Sequence, residues 1–505
     1  MNQRIKQGVV ASYLQIAVNL LFVMLFTPFL IRSLGSSDYA IYTLLYTFLS
    51  YFVMDFGMGS SLAKFITDCK YKNNTKWTEK QLLGVYFKIF FLLSGMVFVA
   101  LYVAYNFLEV FFAGLTGEEV IHLKGSYIIA AVYVVVGFAA TPIEAIYTAN
   151  EYFAPLKMCK ILQKVIFSIL AVFFILMGKG LIWIIISNTV SGLFVIIIEI
   201  FFLKRYKAIE VEWDFWNTEL VKELFSFSFW MAIVTFAQRF IIPIAPTILG
   251  RYSNSMEISL FSLASTLEGY VFTFAAALNG LFLPNVSRLV NEKKYNELNN
   301  LQIKISRIQT IIVGTILGGF AVFGHEFLAL WVGEQYQKVY YIFLLISISD
   351  IFYLSQEIAS NVLIVINKVQ YRAIVYMIGA IANIVISSVL SAKFGALGTA
   401  VGIAICLWGF NIIAMMVVYQ KETPLSMGLL VKKCYLSITP IMIGYSFAWV
   451  LVENMMAKNT WLDMILKILI YAVGLVTVLW CFVLTQDEKR GIKENLKQVI
   501  KRAYK

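Results

Sequence analysis

Charge is scarce in this sequence: Asp, Glu, Lys and Arg make up only 14% of its 505 residues, about half the usual share of a soluble domain. Together with a 60% apolar composition, that scarcity excludes a soluble globular chain. Cysteine is also sparse. Cys69, Cys159, Cys406, Cys434 and Cys481 are odd in number and scattered, so they give neither a disulfide framework nor metal-ligand spacing. The two histidines, His122 and His325, fall near the ends of different apolar runs. Nothing here calls for a metal centre or a cofactor. No polar segment is long enough to fold as a separate domain.

What the sequence does have is apolar runs near the roughly 20 residues needed to cross a bilayer. Fourteen are counted: 9–31, 39–63, 82–106, 125–148, 158–177, 181–203, 225–249, 258–283, 308–330, 339–366, 373–392, 397–419, 435–452 and 462–484. The first is too long for the core of a signal peptide and leads straight into the second, so it is expected to be retained as a helix. Thirty of the 41 Lys and Arg residues lie on the side of the two termini, counting Lys160 at the mouth of the fifth run. Seven lie on the other side, and Lys88, Lys164, Arg239 and Lys467 lie within runs. By the positive-inside rule, both termini are cytoplasmic.

The expected fold is an all-α polytopic membrane protein of about 14 transmembrane helices. A weak internal repeat is visible. Shifting 42–51 by 219 sets Tyr42 on Phe261 and Tyr51 on Tyr270, and a shift of 217 sets Asn150 on Asn367 and Gly178 on Gly395. An even number of spans per half makes the repeats parallel. The expected organisation is a six-helix bundle over 1–203, a cytoplasmic linker over 204–224 and a second bundle over 225–419. Two additional helices over 420–485 and a basic cytoplasmic tail over 486–505 complete it. Trp213, Phe215 and Trp216 alternate with acids in the linker, which predicts a short helix in the membrane interface. Ile492, Leu496, Val499 and Ile500 form an apolar stripe among basic residues, which predicts a lipid-anchored tail helix.

The run 225–249 carries Arg239 near its middle, followed by Pro243 and Pro246. A charge at that depth costs about 2.5–3.5 kcal/mol and needs a partner or a wet cavity. Each proline frees a helical carbonyl, which a membrane tolerates only inside protein or beside water. Ser228, Thr235, Arg239 and Pro246 share one helical face, which predicts a cavity lining. A planar guanidinium binds phosphate bidentately, so Arg239 is the principal candidate anion contact. The alternative is a buried ion pair with Glu268 or Asp350. Arg32, at an outer helix end, and Lys88, a few residues inside the third span, are further candidates for cargo contact. Their plain alternatives are a rim residue and a side chain that snorkels to the surface.

In the tenth run, Ser347, Asp350, Glu357 and Asn361 fall within about 80° of one another, with the two carboxylates about 10 Å apart along an unbroken helix. Such a pair can pass a proton or hold Na⁺; the alternative is pairing with Arg239. Asp55 and Glu144 sit in inner halves of their spans as further ion-coupling candidates. Glu268 flanks the polar face of its helix and is the weaker ion-coupling candidate. Glu199, Glu326 and Asp463 read as rim residues.

At this point the sequence resembles a known family. Thr27-Pro28-Phe29-Leu30-Ile31-Arg32-Ser33-Leu34-Gly35, with Asp38-Tyr39 and Tyr42, is similar to the first-to-second-helix signature of lipid-linked oligosaccharide flippases. Asp55-Phe56-Gly57, the stretch 220–227, Pro284 with Ser287-Arg288, and the glycines between 395 and 402 also resemble that family. It belongs to the multidrug, oligosaccharidyl-lipid and polysaccharide exporter superfamily. Many members carry an acid beside the basic residue of helix seven, whereas Gln238 stands here; Gln238 is taken with Arg239 as a candidate cargo contact. The resemblance implies a flippase, not an enzyme, that moves polyprenyl-pyrophosphate-linked oligosaccharide across a bacterial inner membrane. It implies alternating access, coupling to H⁺ or Na⁺ by antiport, and work in O-antigen, capsule or exopolysaccharide biosynthesis. A polysaccharide polymerase and glycosyltransferases are its implied partners, and nucleic acid is not. The alternatives are a cation-coupled multidrug exporter of the same superfamily and a membrane-embedded polysaccharide-processing enzyme.

Overall fold

Few helix breakers and an excess of apolar side chains leave the chain one way to satisfy its backbone in lipid, which is helix. The computed structural model describes residues 3–53, 58–71, 76–206, 209–276, 282–453, 460–486, 488–491 and 493–494, and among them no strand occurs. Among the described residues, eleven helices are long and apolar enough to cross a membrane. Two of these continue across kinks, at Gly35 in Leu14–Ser50 and at Gly395 in Val369–Glu422, so each carries two of the expected spans. The seventh expected span is not among the eleven because it is broken into Thr218–Arg239 and Ala245–Tyr252. The count is consistent with fourteen. Large apolar side chains face outward, with Leu25 72% and Leu176 79% exposed, as a lipid-facing surface requires.

Local signals set the helix ends. Thr78 with Gln81, and Thr116 with Glu119, close capping boxes that satisfy free amide groups at helix starts. Gly178 (φ 72) and Gly395 (φ 58), a pair of the expected repeat, both have a positive φ of the kind glycine favours. The other pair is displaced by one residue. Glu151 and Asn367, 216 apart, both have φ 57, whereas Asn150 sits at φ −93. The amides of Tyr152 and Lys368 then reach back to the carbonyls of Tyr147 and Leu363 at 2.9 and 2.8 Å, the same helix-ending turn twice.

Three expectations are corrected. The second span, expected over 39–63, is interrupted, because one helix ends at Ser50 and the next, Met58–Tyr71, begins eight residues later. Asp55 lies outside the described residues. The tenth, expected as one helix over 339–366, is two, Lys338–Leu354 and Glu357–Val365. The linker forms no interfacial helix: 209–217 is irregular and lies along the helix Glu79–Asn106. There the Glu212 amide donates to the Lys80 carbonyl at 3.1 Å. A Cβ at Gly84 would stand 2.1 Å from the Glu212 carbonyl oxygen, so only glycine admits this approach. Trp213 stacks on Phe91, and Lys88 donates to the Phe215 carbonyl at 3.2 Å. The apolar stripe expected in the tail lies outside the described residues.

By packing, the chain forms two compact units. The first comprises 1–263 and 369–406. Its helix Val369–Cys406 packs on both pieces of the broken seventh span. Leu82, Tyr86, Phe90, Phe138, Ile146 and Tyr147 anchor a fully dry cluster within it. The second comprises 264–368 and 407–505 and packs Phe323, Ile438, Met442 and Tyr471 together. It contains three wide π-helical stretches, Leu407–Ala414, Val431–Tyr435 and Leu479–Val483. Arg307, 5% exposed, fastens two of them. Its guanidinium donates to the carbonyls of Lys433 and Val483, each at 2.7 Å, and to both carboxylate oxygens of Glu488.

Candidate functional site

The break in the seventh span is the feature the prolines predicted, and its carbonyls do not go unmet. The Asn383 amide donates to the carbonyls of Phe240 and Ile241 at 2.9 and 3.0 Å. The Tyr51 hydroxyl donates to the Pro243 carbonyl at 2.8 Å and lies 3.0 Å from the Thr247 hydroxyl. Tyr51 also stacks on Phe240 at 5.9 Å. Arg239 is the last residue of the first piece and is half-buried, close enough to Tyr51 for its charge to act on the phenol. Among the described residues of this unit, Arg239 has no carboxylate within 4.0 Å. A guanidinium at a helix C-terminus is favoured by the local dipole. Gln238 adjoins it and is half-buried; Arg32 is exposed on the first helix.

A second polar group occupies the interior of the same unit. The Lys160 ammonium lies 2.5 Å from Glu144 and 3.9 Å from Glu199. Glu199 is not a rim residue: it is 3% exposed, because its helix Leu181–Arg205 is packed on two faces by Gly117–Ala139 and Phe153–Leu176. Among the described residues, its Oε1 has no hydrogen-bond partner. The i, i+4 spacing of Lys160 and Lys164 was the sequence signal for an inward polar face. Its weakness is that such a pair near a span mouth looks like topology-setting charge.

In the second unit, Asp350 and Glu268 are 4% and 7% exposed and close enough for their charges to repel. Among the described residues, Asp350 Oδ2 and the hydroxyls of Ser347 and Ser349 beside it have no hydrogen-bond partner. The expected stripe with Glu357 crosses a break at Ser355 and Gln356, which puts Asp350 and Glu357 on separate helices. Glu268, the weaker candidate from the sequence, is the acid whose charge acts on Asp350. The carbonyls freed by the break are taken by hydroxyls: Ser306 donates to Ser355, and Tyr435 to Phe352 at 3.2 Å. Glu326, also expected at a rim, is buried against Lys467 at 3.0 Å. A groove of about 480 Å³, lined by Gly314, Ile348, Trp408, Met442 and Phe447, runs along this unit. Its walls are almost wholly apolar.

Comparison with known proteins gives this arrangement a context. A model of the family described as polysaccharide biosynthesis protein matches residues 5–290, more than half the chain. No curated protein matches it significantly. Among solved structures, the lipid II flippase MurJ in an inward closed conformation superposes with a TM-score of 0.72 at 14% identity, covering 94% of this chain and 98% of that one. A multidrug resistance MATE family transporter of the MOP superfamily, inward-facing, gives 0.65 at 13% identity over 83% and 97%. A MOP superfamily transporter from Pyrococcus furiosus gives 0.57 at 12% identity over 82% and 94%. The fold is therefore that of MOP-superfamily transporters.

Proposed function

Because this chain belongs to the polysaccharide biosynthesis protein family, we propose that it flips polyprenyl-pyrophosphate-linked oligosaccharide across a bacterial inner membrane by alternating access. The observation that carries the reading is Arg239: a membrane-embedded guanidinium at a helix break, with no carboxylate within 4.0 Å among the described residues of its unit. The pyrophosphate carries the charge that hydrocarbon rejects, and a planar fork recognises it. Gln238 adds a neutral donor beside it. Arg32 and Lys88 are assigned to the path of the headgroup, although Lys88 also holds the linker. The prenyl tail needs no polar path, and the apolar groove of the second unit fits such a chain. The Asp350 and Glu268 pair supplies the coupling-ion step, with Glu357, Asp55 and Glu144 as accessory acids. In this reading both termini are cytoplasmic, the halves 1–203 and 225–419 are the two rocking bundles, and a polymerase takes the product.

The test is ligand-induced thermal stabilisation of the purified protein in lipid nanodiscs. A polyprenyl-pyrophosphate oligosaccharide should stabilise it, and the matching polyprenol glycoside without phosphates should not. Equal stabilisation by both would sink the headgroup role.

A further inference from the structure

The triad of Glu144, Lys160 and Glu199 has two negative charges and one positive, inside the first unit. Lys160 stands at 2.5 Å from Glu144, whose side chain is 52% exposed, and at 3.9 Å from Glu199, whose side chain is 4% exposed. The more exposed acid thus holds the ammonium, while the buried one has a carboxylate oxygen with no hydrogen bond among the described residues. An unbonded buried anion is among the costlier groups a protein can hold. Two events relieve it. Either Glu199 takes a proton, or Lys160 moves about an ångström and leaves Glu144 to water.

We infer that Glu199, with Lys160 as its movable counter-ion, is a proton-binding site within the first unit, additional to the Asp350 and Glu268 pair. The proton comes from water that reaches the site past Glu144; an O–H bond forms on the Glu199 carboxylate and the triad becomes neutral. Loss of that proton draws Lys160 across to Glu199. The other titratable groups facing the site, among the described residues, are Tyr133, Tyr147, Cys159 and Lys164. Tyr147 donates to the Glu199 backbone carbonyl at 3.1 Å and so fixes the helix rather than the carboxylate. Cys159 adjoins Lys160, and its sulfur faces the same charges. Tyr133 accepts from Gln163 at 2.9 Å and lies near Tyr46 of the helix Gln3–Ser50. Lys164, one turn on, sits over the Phe22 ring of that same helix at 5.0 Å. None of these supplies a donor to Glu199 Oε1. The use of the site in coupling rests on the ion-driven reading above; the binding of the proton does not.

The experiment is pH-difference infrared spectroscopy of the purified protein in liposomes without cargo, reading the C=O stretch of protonated carboxyl groups. Wild type should show a band that Glu199→Gln removes and that the Asp350→Asn, Glu268→Gln double variant leaves in place. Lys160→Met takes away the competing ammonium and should move the titration of that band to higher pH. A band unchanged in Glu199→Gln, or a titration unmoved in Lys160→Met, overturns the inference. Because no cargo is present, either result is independent of whether the protein carries lipid-linked sugar.

Discussion

The hydroxyls of Thr43 and Ser262 hydrogen-bond at 3.0 Å, and they are separated by the 219 residues that relate the two copies of the internal repeat. The contact lies within the first unit, next to a second one in which Ser259 donates to the Ser36 carbonyl at 2.6 Å. Cysteines at both positions should therefore cross-link. Oxidation of the Thr43→Cys, Ser262→Cys variant should give a faster-migrating band on non-reducing gels and stop transport, with dithiothreitol restoring it. Full transport with the bond formed would mean that this contact persists through the cycle.

Replacing Arg239 separates binding from bracing. A hydrogen bond to a charged group contributes about 1.5–3 kcal/mol, so Arg239→Ala should weaken binding of the pyrophosphate-linked lipid by about 10- to 150-fold. Arg239→Lys keeps the charge and loses the fork, and should recover only part of that affinity. Folded protein recovered from the membrane should be unchanged in both. A large drop in recovered protein with unchanged affinity would assign Arg239 to the fold.

The pair in the second unit makes a different prediction. Asp350→Asn preserves shape and removes one of two charges held close together. Transport in vesicles should lose its dependence on an imposed pH or Na⁺ gradient, while cargo binding stays within about twofold, a change near 0.4 kcal/mol. Glu357→Gln should have the smaller effect, since Glu357 lies on the helix beyond the break and is less buried than Asp350. Undiminished gradient dependence in Asp350→Asn would move the coupling step to the first unit.

Arg307 and Glu488 set an acid limit on stability. Burial pushes the Glu488 carboxyl up, but hydrogen bonds from Arg307 and from the Thr485 amide outweigh it and hold it below the ordinary carboxylate range. A group depressed in the folded state contributes its stability above the unfolded-state value and loses it as pH falls through the folded one. Melting temperature should therefore drop on acidification below the ordinary carboxylate range, and Arg307→Met should flatten that limb. At neutral pH, Arg307→Met should cost about 3–5 kcal/mol, as breaking a buried pair does. An unaltered acid limb in Arg307→Met would remove this pair from the pH response.

Much of the fold was legible because lipid leaves a helix few alternatives, and Pro243 and Pro246 announced their break in plain chemistry. The break at Ser355 and Gln356 was not legible: no proline or glycine marks it, and the hydroxyls that take its carbonyls, Ser306 and Tyr435, lie 49 and 83 residues away. Glu199 and Glu326 were misplaced for a related reason. Their positions near span ends set depth along the helix, but burial depends on which helices pack around them. Asn383 has the residue type of a cap, yet nothing within its own helix says that it serves another.

That dependence on Asn383 has a consequence for how the chain is made. The carbonyls it satisfies leave the ribosome 142 and 143 residues earlier. At about 5–20 residues per second, the broken span waits roughly 7–28 s for its partner. During that interval two unmet backbone acceptors stand at membrane depth, where a nascent segment has only water in the insertion channel or a chaperone to satisfy them. The broken span is therefore among the last parts of the first unit to be completed, although it is translated near the middle of the chain.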